Sequence, residues 1–301
     1  MSTIPQFPEF KKLELSDREE ILAITSQFPP YSDFDFGSLW AWDSHGNTRI
    51  SILNSNLVVQ FSDYITNELF YSFIGNTKLT DTAIAIFDHA KQNGMPLVIN
   101  LMPEQVAVQL ESFRFEIEED RNQFDYIYTL ANHIPYLGSS MKDVRYLREA
   151  FYKRTPGHIP STLDLRDKKV KEEILTLLTK WEMHRGDIQN EPAALRRCLE
   201  TANEEKDLVG TGIRYKGELI AFAINSILPN SFANCLFAKA DVSFYGIYSV
   251  LMYENARILI DKNCTHLNFE QDLGLDNLRM AKMAYCPSYF LKKYTVTRKV
   301  W

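Results

Sequence analysis

Apolar and polar residues in the first part of the chain fall into short runs that predict a small antiparallel sheet. Three apolar runs, at residues 49–53, 57–61 and 69–74, are separated by turn residues and are typical of successive strands. Before them, residues 16–19 fit a capping box for a short helix that should end at Phe28-Pro29-Pro30. The chain is therefore predicted to open with a helix and a meander.

The segment after this meander has apolar residues at the spacing of a helix. Ala83, Ile84, Phe87 and Ala90 recur at the interval of a helix, which Thr80 could cap and Gly94 could end. Three further elements are predicted to complete the first lobe, a buried strand, a short helix and a last strand, at residues 96–101, 104–110 and 124–130.

The second half begins with helices and then changes to strands. Helices are predicted at 141–154, 168–184 and 192–206, with a loop at 155–160. A hairpin, a strand, a helix of about 16 residues after Gly246 and a last strand follow, at residues 208–228, 233–239, 247–262 and 266–270. This is the order of elements in a GNAT domain, and the first lobe shares its sequence of helix, meander and helix.

The length of 301 residues favours two domains, because single hydrophobic cores rarely grow so large. We expect an α/β (α+β) protein of two tandem GNAT-like domains, each a mixed, largely antiparallel sheet flanked by helices. A linker at residues 135–140 places the boundary between an N-terminal domain, 1–134, and a C-terminal domain, 135–301, that carries the active site.

The composition indicates where in the cell we expect the protein and which partners it is able to attract. No apolar stretch approaches the roughly 20 residues of a membrane span. The first residues lack an export signal and the four cysteines form no Cys-x-x-Cys pair, so we expect a cytoplasmic protein. A net charge of −6 gives no general attraction to nucleic acid, although a local basic patch could provide one.

Several common catalytic motifs are absent from the sequence. It contains no Gly-x-Ser-x-Gly elbow, no phosphate-binding loop of the Gly-x4-Gly-Lys type and no His-Glu-x-x-His. Gly210 and Gly212 open a predicted strand and favour a turn over a dinucleotide site. The histidines are isolated from one another and from cysteine, so no metal site is predicted.

The helix at 141–154 is both amphipathic and cationic. Lys142, Arg145 and Arg148 recur every third residue opposite an apolar face. Arginine can make two parallel hydrogen bonds to one phosphate, so this stripe could bind a phosphorylated ligand. A solvated helix face is the alternative.

A loop between a strand and a helix, at residues 241–249, carries the second candidate. Free N–H groups at a helix start favour anions, and Gly246 would let a phosphate approach. GNAT enzymes bind the coenzyme A pyrophosphate here with the pattern Gln/Arg-x-x-Gly-x-Gly/Ala, of which Ser243, Gly246 and Tyr248 give one match in three. An ordinary strand-to-helix turn competes with that interpretation. Asp241, at the start of this loop, is a further candidate.

Two carboxylates near the C-terminus form the third candidate. Glu270 and Asp272 would point the same way if the strand at 266–270 continued, and such a pair could bind an amine or accept a proton. Lys282, Lys292 and Lys293 lie downstream, where they could form surface ion pairs with these acids.

Three segments together resemble one family: residues 31–42, the cationic helix, and the C-terminal stretch with Phe269-Glu-Gln-Asp-Leu-Gly274, Leu278-Arg-Met-Ala-Lys282 and Lys293-Tyr294. The resemblance is to the C-terminal domain of phosphatidylglycerol lysyltransferases. It spans nearly the whole chain and implies two tandem GNAT folds, as in the Fem peptidoglycan aminoacyltransferases. Membrane-bound members of the family pass an aminoacyl group from a charged tRNA to a lipid hydroxyl. This sequence lacks their large transmembrane portion, so the acceptor stays open between a small molecule and a peripheral lipid.

The resemblance also implies roles for individual residues. Lys142, Arg145 and Arg148 would bind the donor phosphates, while Glu270 and Asp272 would line the reaction centre. Further candidates are Asp241, Lys282, Lys293 and Tyr294. The leading hypothesis is an acyltransferase that uses aminoacyl-tRNA, with a hydroxyl or amine acceptor and no tightly bound cofactor. A coenzyme A-dependent N-acetyltransferase, with a coenzyme A thioester as co-substrate, and a non-catalytic binding module are the alternatives.

Overall fold

The computed structural model describes residues 3–63, 66–133, 136, 138–185, 190–204 and 206–299. The chain divides into two compact units, and each contains more than one stretch of sequence. The first unit consists of Met1–Asp125, Gln271–Gly274 and Leu291–Trp301. The second consists of Tyr126–Glu270 and Leu275–Phe290.

A seven-stranded sheet forms the centre of the first unit, with strands in the order β1-β2-β3-β4-β5-β14-β6 when numbered along the chain. Its strands are β1 Lys11–Lys12, β2 Arg49–Leu53, β3 Asn56–Ser62, β4 Leu69–Ile74, β5 Val98–Pro103, β6 Phe115–Glu119 and β14 Lys293–Arg298. The α-helices of this unit are α1 Arg18–Thr25, α2 Phe36–Trp42, α3 Leu79–Gln92 and α4 Glu104–Ala107.

The second sheet also has seven strands, in the order β13-β7-β12-β11-β10-β9-β8. Its strands are β7 Asp125–Thr129, β8 Ile159–Leu163, β9 Leu208–Tyr215, β10 Glu218–Leu228, β11 Phe232–Ala240, β12 His266–Asn268 and β13 Tyr289–Leu291. The α-helices of the second unit are α5 Lys142–Arg154, α6 Lys168–Arg185, α7 Glu191–Thr201, α8 Ile247–Asp261 and α9 Asp276–Met283.

The two sheets repeat one topological pattern. In the first, β2, β3 and β4 pair antiparallel, and β4 then pairs parallel with β5 after the crossover helix α3. In the second, β8 to β11 pair antiparallel, and β11 pairs parallel with β12 after the crossover helix α8. The predicted class, α/β with two mixed and largely antiparallel sheets flanked by helices, is confirmed.

Each crossover helix buries the face that its apolar spacing predicts. Ala83, Phe87 and Ala90 of α3 are at most 2% exposed and belong to one apolar cluster with β-strand residues such as Val58 and Phe73. Helix α8 has little polar surface, because nine of its fifteen residues are buried. Burial of these faces against the sheets is what holds each unit together.

The chain does not complete its first unit before it starts the second. The strand predicted at 124–130 to finish the first lobe is β7, and it pairs with β12 of the second sheet. In the first sheet the C-terminal strand β14 lies between β5 and β6 and pairs antiparallel with both. The two units are therefore not separated by a single boundary between residues 134 and 135. Those two residues, and part of the predicted linker, lie outside the described residues.

Some local predictions were wrong in detail. The loop predicted at 155–160 is shorter in the structure, because Ile159 and Pro160 already belong to the edge strand β8. The capping box is made by Glu14 and Asp17, two residues before the predicted pair. Helix α3 starts at Leu79, and its N-cap is Lys78, so Thr80 lies inside its first turn.

A buried network of charges connects four distant parts of the first unit. The Lys293 ammonium contacts the carboxylates of Asp33 and Asp125, and none of the three side chains is exposed to solvent. Ser32 donates its backbone N–H and its hydroxyl to Asp125 at 2.8 and 2.6 Å. The Gln271 amide donates to Asp33 at 3.2 Å. Lys293 is thus a structural residue, and the surface ion pair predicted for it is wrong.

Burial and attraction act on Lys293 in opposite directions. Desolvation lowers the pKa of a buried ammonium, but the charges of Asp125 and Asp33 and their hydrogen bonds outweigh it and raise the pKa of Lys293. The ammonium therefore stays charged and neutralises part of the repulsion between the two carboxylates.

Replacement of Lys293 by methionine should destabilise the first unit strongly. Two buried carboxylates would lose their counter-charge, and removal of one partner of a buried pair costs about 3–5 kcal/mol. Lys292→Met is the matched control, because Lys292 and its partner Glu119 are 39% and 48% exposed and such pairs contribute at most about 1 kcal/mol. Urea unfolding followed by circular dichroism measures both. Equal losses for the two variants would contradict this role of Lys293.

Candidate functional site

Two neighbouring strands of the second sheet part from each other near its centre. Strand β12 pairs with β11 over three residues, from Phe232 to Asn234. The register of β11 with β10 shifts directly after this point, because Ile224 faces Phe237 while Asn225 faces Cys235. Leu236 is thus an extra residue of the kind found in a β-bulge, which bends a strand and redirects its side chains. Several candidate side chains lie on β11 beyond this pairing and on the chain that follows β12.

Glu270 lies where the chain leaves β12. Its φ of 55° puts it in the left-handed region, which costs a residue with a Cβ about 1–2 kcal/mol. Its N–H donates to the Asn268 side chain at 2.8 Å, and its carbonyl accepts from the Tyr126 N–H at 3.2 Å. The Asn234 amide lies 3.4 Å from the Glu270 carboxylate. Strand β12 ends at Asn268, so the predicted continuation of the strand through Glu270 is wrong.

Lys282 of α9 reaches the same turn from the other side. It is 5% exposed, and its ammonium donates to the carbonyl of Phe269. The ammonium also lies 5.1 Å from the ring centroid of Phe269 and 5.6 Å from that of Tyr126. Aromatic ring faces attract cations, so these contacts compensate part of the cost of burying the charge.

A second buried lysine lies further along β11. The Lys239 ammonium pairs with Glu191 at 2.6 Å and lies 3.8 Å from the centre of the Trp181 ring. The Cys235 thiol, on the same strand, is also buried. Its pKa is raised first by burial and next by the charge of Glu270, while Lys282 and Lys239 act in the opposite direction.

Sequence reasoning did not find Asn234, Lys239, Glu191 or Trp181. A signal was present, since Asn234 and Lys239 interrupt an otherwise apolar strand, Ala233 to Ala240. Polar side chains inside a central strand need partners when buried. The partners of Lys239 come from α6 and α7, which the sequence does not connect to this strand.

Asp272 lies in the first unit, two residues after Glu270, and has a different role. It is fully buried, pairs with Arg121 at 3.1 Å and accepts a hydrogen bond from the Gly274 N–H at 2.9 Å. Leu273 also donates its N–H to the Asn122 carbonyl at 2.9 Å. These contacts fix a turn of the first unit, and a carboxylate so engaged is a poor general base.

The remaining predicted residues are divided between the units. In the first unit, the Tyr294 hydroxyl lies 3.2 Å from Glu119 and 3.4 Å from Glu104, and burial together with these acids raises the pKa of Tyr294 to about 12. In the second unit, Asp241 accepts hydrogen bonds from the N–H and hydroxyl of Ser243 at 3.0 and 2.6 Å. Both residues are engaged in local structure.

The cationic stripe on α5 is largely used within the second unit. Arg145 donates to the carbonyls of Tyr136 and Gly138. The Arg148 guanidinium lies 4.5 Å from the ring centroid of Tyr253 and 5.2 Å from that of Tyr136. Lys142 is exposed. Binding of a donor phosphate by these three residues stays a prediction, and for the two arginines it would compete with existing contacts.

Gly246 has a packing reason to be glycine. It caps the start of α8 with a φ of 84°, and a Cβ there would come within 2.2 Å of the Leu147 carbonyl oxygen of α5. The space that a side chain at position 246 would need is therefore occupied by α5. Among the residues that the structure describes, no group of three His, Cys, Asp or Glu side chains could hold a metal ion.

An open groove of about 380 Å³ lies at the start of α3 in the first unit. Lys78 and Arg114 contribute positive charge to its lining, and Asp81 and Glu111 contribute negative charge. Arg114 already pairs with Glu111 at 2.6 Å. The charges of the groove therefore balance, and we do not assign it an anion.

Comparison with known families identifies the class of protein to which this fold and site belong. The family model described as phosphatidylglycerol lysyltransferase, C-terminal, matches residues 25–297. The chain belongs to this family, and the resemblance inferred from its sequence is confirmed. Membership supports the acyltransferase class. No curated protein matches the sequence.

Solved structures agree with this assignment. A conserved protein of unknown function from Bacteroides thetaiotaomicron is 26% identical, with a TM-score of 0.84 over 96% of this chain and 99% of that one. The C-terminal domain of a putative lysylphosphatidylglycerol synthetase from Agrobacterium fabrum is 10% identical, with a TM-score of 0.66 over 95% and 92%. FemX is 9% identical, with a TM-score of 0.61 over 95% and 96%. The last two share the fold.

Throughout the part of the chain that is described, every helix is too short or too polar to cross a bilayer.

Gly246→Ala should destabilise the second unit beyond the cost of its backbone conformation. Gly157 is the matched control, since its φ is 81° but no atom lies within 4 Å of a Cβ there. Both changes force a Cβ into the left-handed region, at about 1–2 kcal/mol. Gly246→Ala also overlaps α5, and overpacking adds about 1–3 kcal/mol. The urea midpoints of the two variants measure their losses of stability. Equal losses of stability would mean that α5 moves away from α8 without cost.

Proposed function

We propose that this protein is an aminoacyltransferase, which moves an aminoacyl group from aminoacyl-tRNA to a hydroxyl or amine acceptor. The observation that carries the proposal is the position of Glu270, a carboxylate held in a left-handed turn where β11 and β12 part. Membership in the phosphatidylglycerol lysyltransferase C-terminal family supports aminoacyl transfer over other acyl chemistries.

The geometry around Glu270 suits a general base. Its side chain is half-buried, so it can meet a substrate while part of its solvation is removed. The strained backbone is retained with a full side chain in place of glycine, which favours a role for the carboxylate itself. The neighbouring Asn234 amide can orient the carboxylate from β11.

The reaction needs no covalent intermediate on the protein. The acceptor oxygen or nitrogen attacks the ester carbonyl carbon, and Glu270 takes the proton that the acceptor loses. The bond from this carbon to the ribose oxygen of the tRNA then breaks, and the proton passes to that oxygen. Backbone N–H groups of β11 beyond Asn234, where β12 no longer pairs with it, are suitable donors for the developing oxyanion.

The loop at the start of α8, in the second unit, bears on which acyl donor the protein uses. The loop before α8 matches the coenzyme A pattern at one position in three, which disfavours a coenzyme A pyrophosphate there. A coenzyme A thioester is therefore the second choice of donor. The acceptor remains a hydroxyl or an amine, on a small molecule or a lipid.

Glu270→Gln should abolish transfer while the fold persists. Loss of a general base costs about 10²–10⁴-fold in rate. The assay incubates the protein with tRNA charged with labelled amino acids and with pooled lipid and small-molecule acceptors, and follows the label from tRNA to product. Glu218→Gln is the matched control, since Glu218 lies in the same unit at an exposed hairpin position.

Three results would argue against the proposal. Transfer by Glu270→Gln at the wild-type rate would remove Glu270 from the mechanism. Transfer from acetyl-coenzyme A in place of charged tRNA would make the protein an N-acetyltransferase. Binding of tRNA without any turnover by the wild type would favour a non-catalytic module.

A further inference from the structure

The turn that carries Glu270 cannot hold its shape by local preference. A left-handed residue with a Cβ persists where neighbouring groups fix the backbone on both sides. In this turn, Phe269 donates its N–H to the Tyr126 carbonyl at 2.9 Å, and Tyr126 donates its own to the Glu270 carbonyl at 3.2 Å. The Phe269 carbonyl points away from this pair and is bound by Lys282.

Lys282 is itself held in place from two directions. Its backbone carbonyl accepts the Tyr128 hydroxyl at 2.8 Å, which ties this turn of α9 to β7. Its ammonium is enclosed by the rings of Phe269 and Tyr126. A lysine 5% exposed loses most of its hydration, and a long flexible side chain is rarely buried without a function for its charge.

We propose that Lys282 is the positioning residue of the acyl-transfer site: its ammonium binds the Phe269 carbonyl, fixes the turn and keeps a positive charge beside Glu270. The inference rests on the proposed function of Glu270. Lys282 touches the turn and acts on the reaction through Glu270, so it is not itself a catalytic residue.

The strands that pack beside this turn carry other titratable groups. On β11 these are Cys235 and Lys239, and on β7 there is Tyr126. Lys239 is already neutralised by Glu191. The Lys282 ammonium binds the carbonyl of Phe269, the residue directly before Glu270, so its charge lies at the turn itself. Lys282 is therefore the cation whose removal should act most directly on Glu270.

Three substitutions separate the functions of this lysine. Lys282→Met removes both the donor and the charge, Lys282→Gln can keep a donor to Phe269 without the charge, and Lys282→Arg keeps the charge. Lys262→Met, at an exposed position after α8, is the matched control. Circular dichroism and urea midpoints confirm that each variant folds, and if Lys282→Met fails to fold, the glutamine and arginine variants decide the question.

The first readout is the titration of Glu270, measured by NMR with side-chain ¹³C-labelled glutamate and assigned with Glu270→Gln. Removal of a nearby opposite charge should raise the pKa of a carboxyl by roughly one unit or more. We expect this shift in the methionine and glutamine variants and a value near wild type in the arginine and Lys262→Met variants. An unchanged titration in both neutral variants would overturn the proposal.

The second readout is the pH profile of transfer. In the neutral variants the acidic limb of kcat should move to higher pH by the same amount as the carboxyl titration, with KM little changed. A uniform loss of kcat at all pH values would overturn the proposal, because a purely structural lysine has that effect. The NMR measurement needs no substrate, so its outcome holds even if the wild type transfers nothing and the proposed function fails.

Discussion

The buried ammonium of Lys293 is the interaction on which the first unit depends. Without it, the carboxylates of Asp33 and Asp125 would lie in a water-free interior with no counter-charge, and Gln271 and Ser32 satisfy the oxygen atoms that the lysine leaves. The network joins the segment before α2, the start of β7, the turn 271–274 and β14. Because these parts are far apart in sequence, the first unit cannot be complete until the end of the chain has been added to its sheet.

Within the second unit, β11 and β12 pair over three residues only. Strand β11 bulges at Leu236, and a strained glutamate and two buried lysines lie on β11 and on the chain after β12. One lysine is neutralised by Glu191, and the other binds the turn that carries Glu270. This arrangement is what the proposed acyl transfer uses.

Local sequence patterns predicted most elements, since the strands at 49–53 and 69–74 and the helices α5 and α6 depend on apolar spacing within one segment. Patterns could not predict that β7 joins the second sheet and β14 the first, because strand partners are chosen by long-range packing. The same limit applied to the site. Glu270 was found from its motif, but the contacts that engage Asp272 and Arg145 within the fold could not be read from that motif. Lys239 and its partners were missed because α6, α7 and β11 meet only in the fold.

The central structural claim is that β14 is an integral strand of the first sheet, locked there by Lys293. Native-state hydrogen exchange tests it most directly, with the free energies of opening measured for amides of β14, β5 and β11 in the wild type and in Lys293→Met. The account predicts that β14 and β5 open together in the wild type and that the substitution lowers the protection of both while β11 keeps its own. Exchange of β14 independent of β5, or an equal loss of protection in β11, would contradict it.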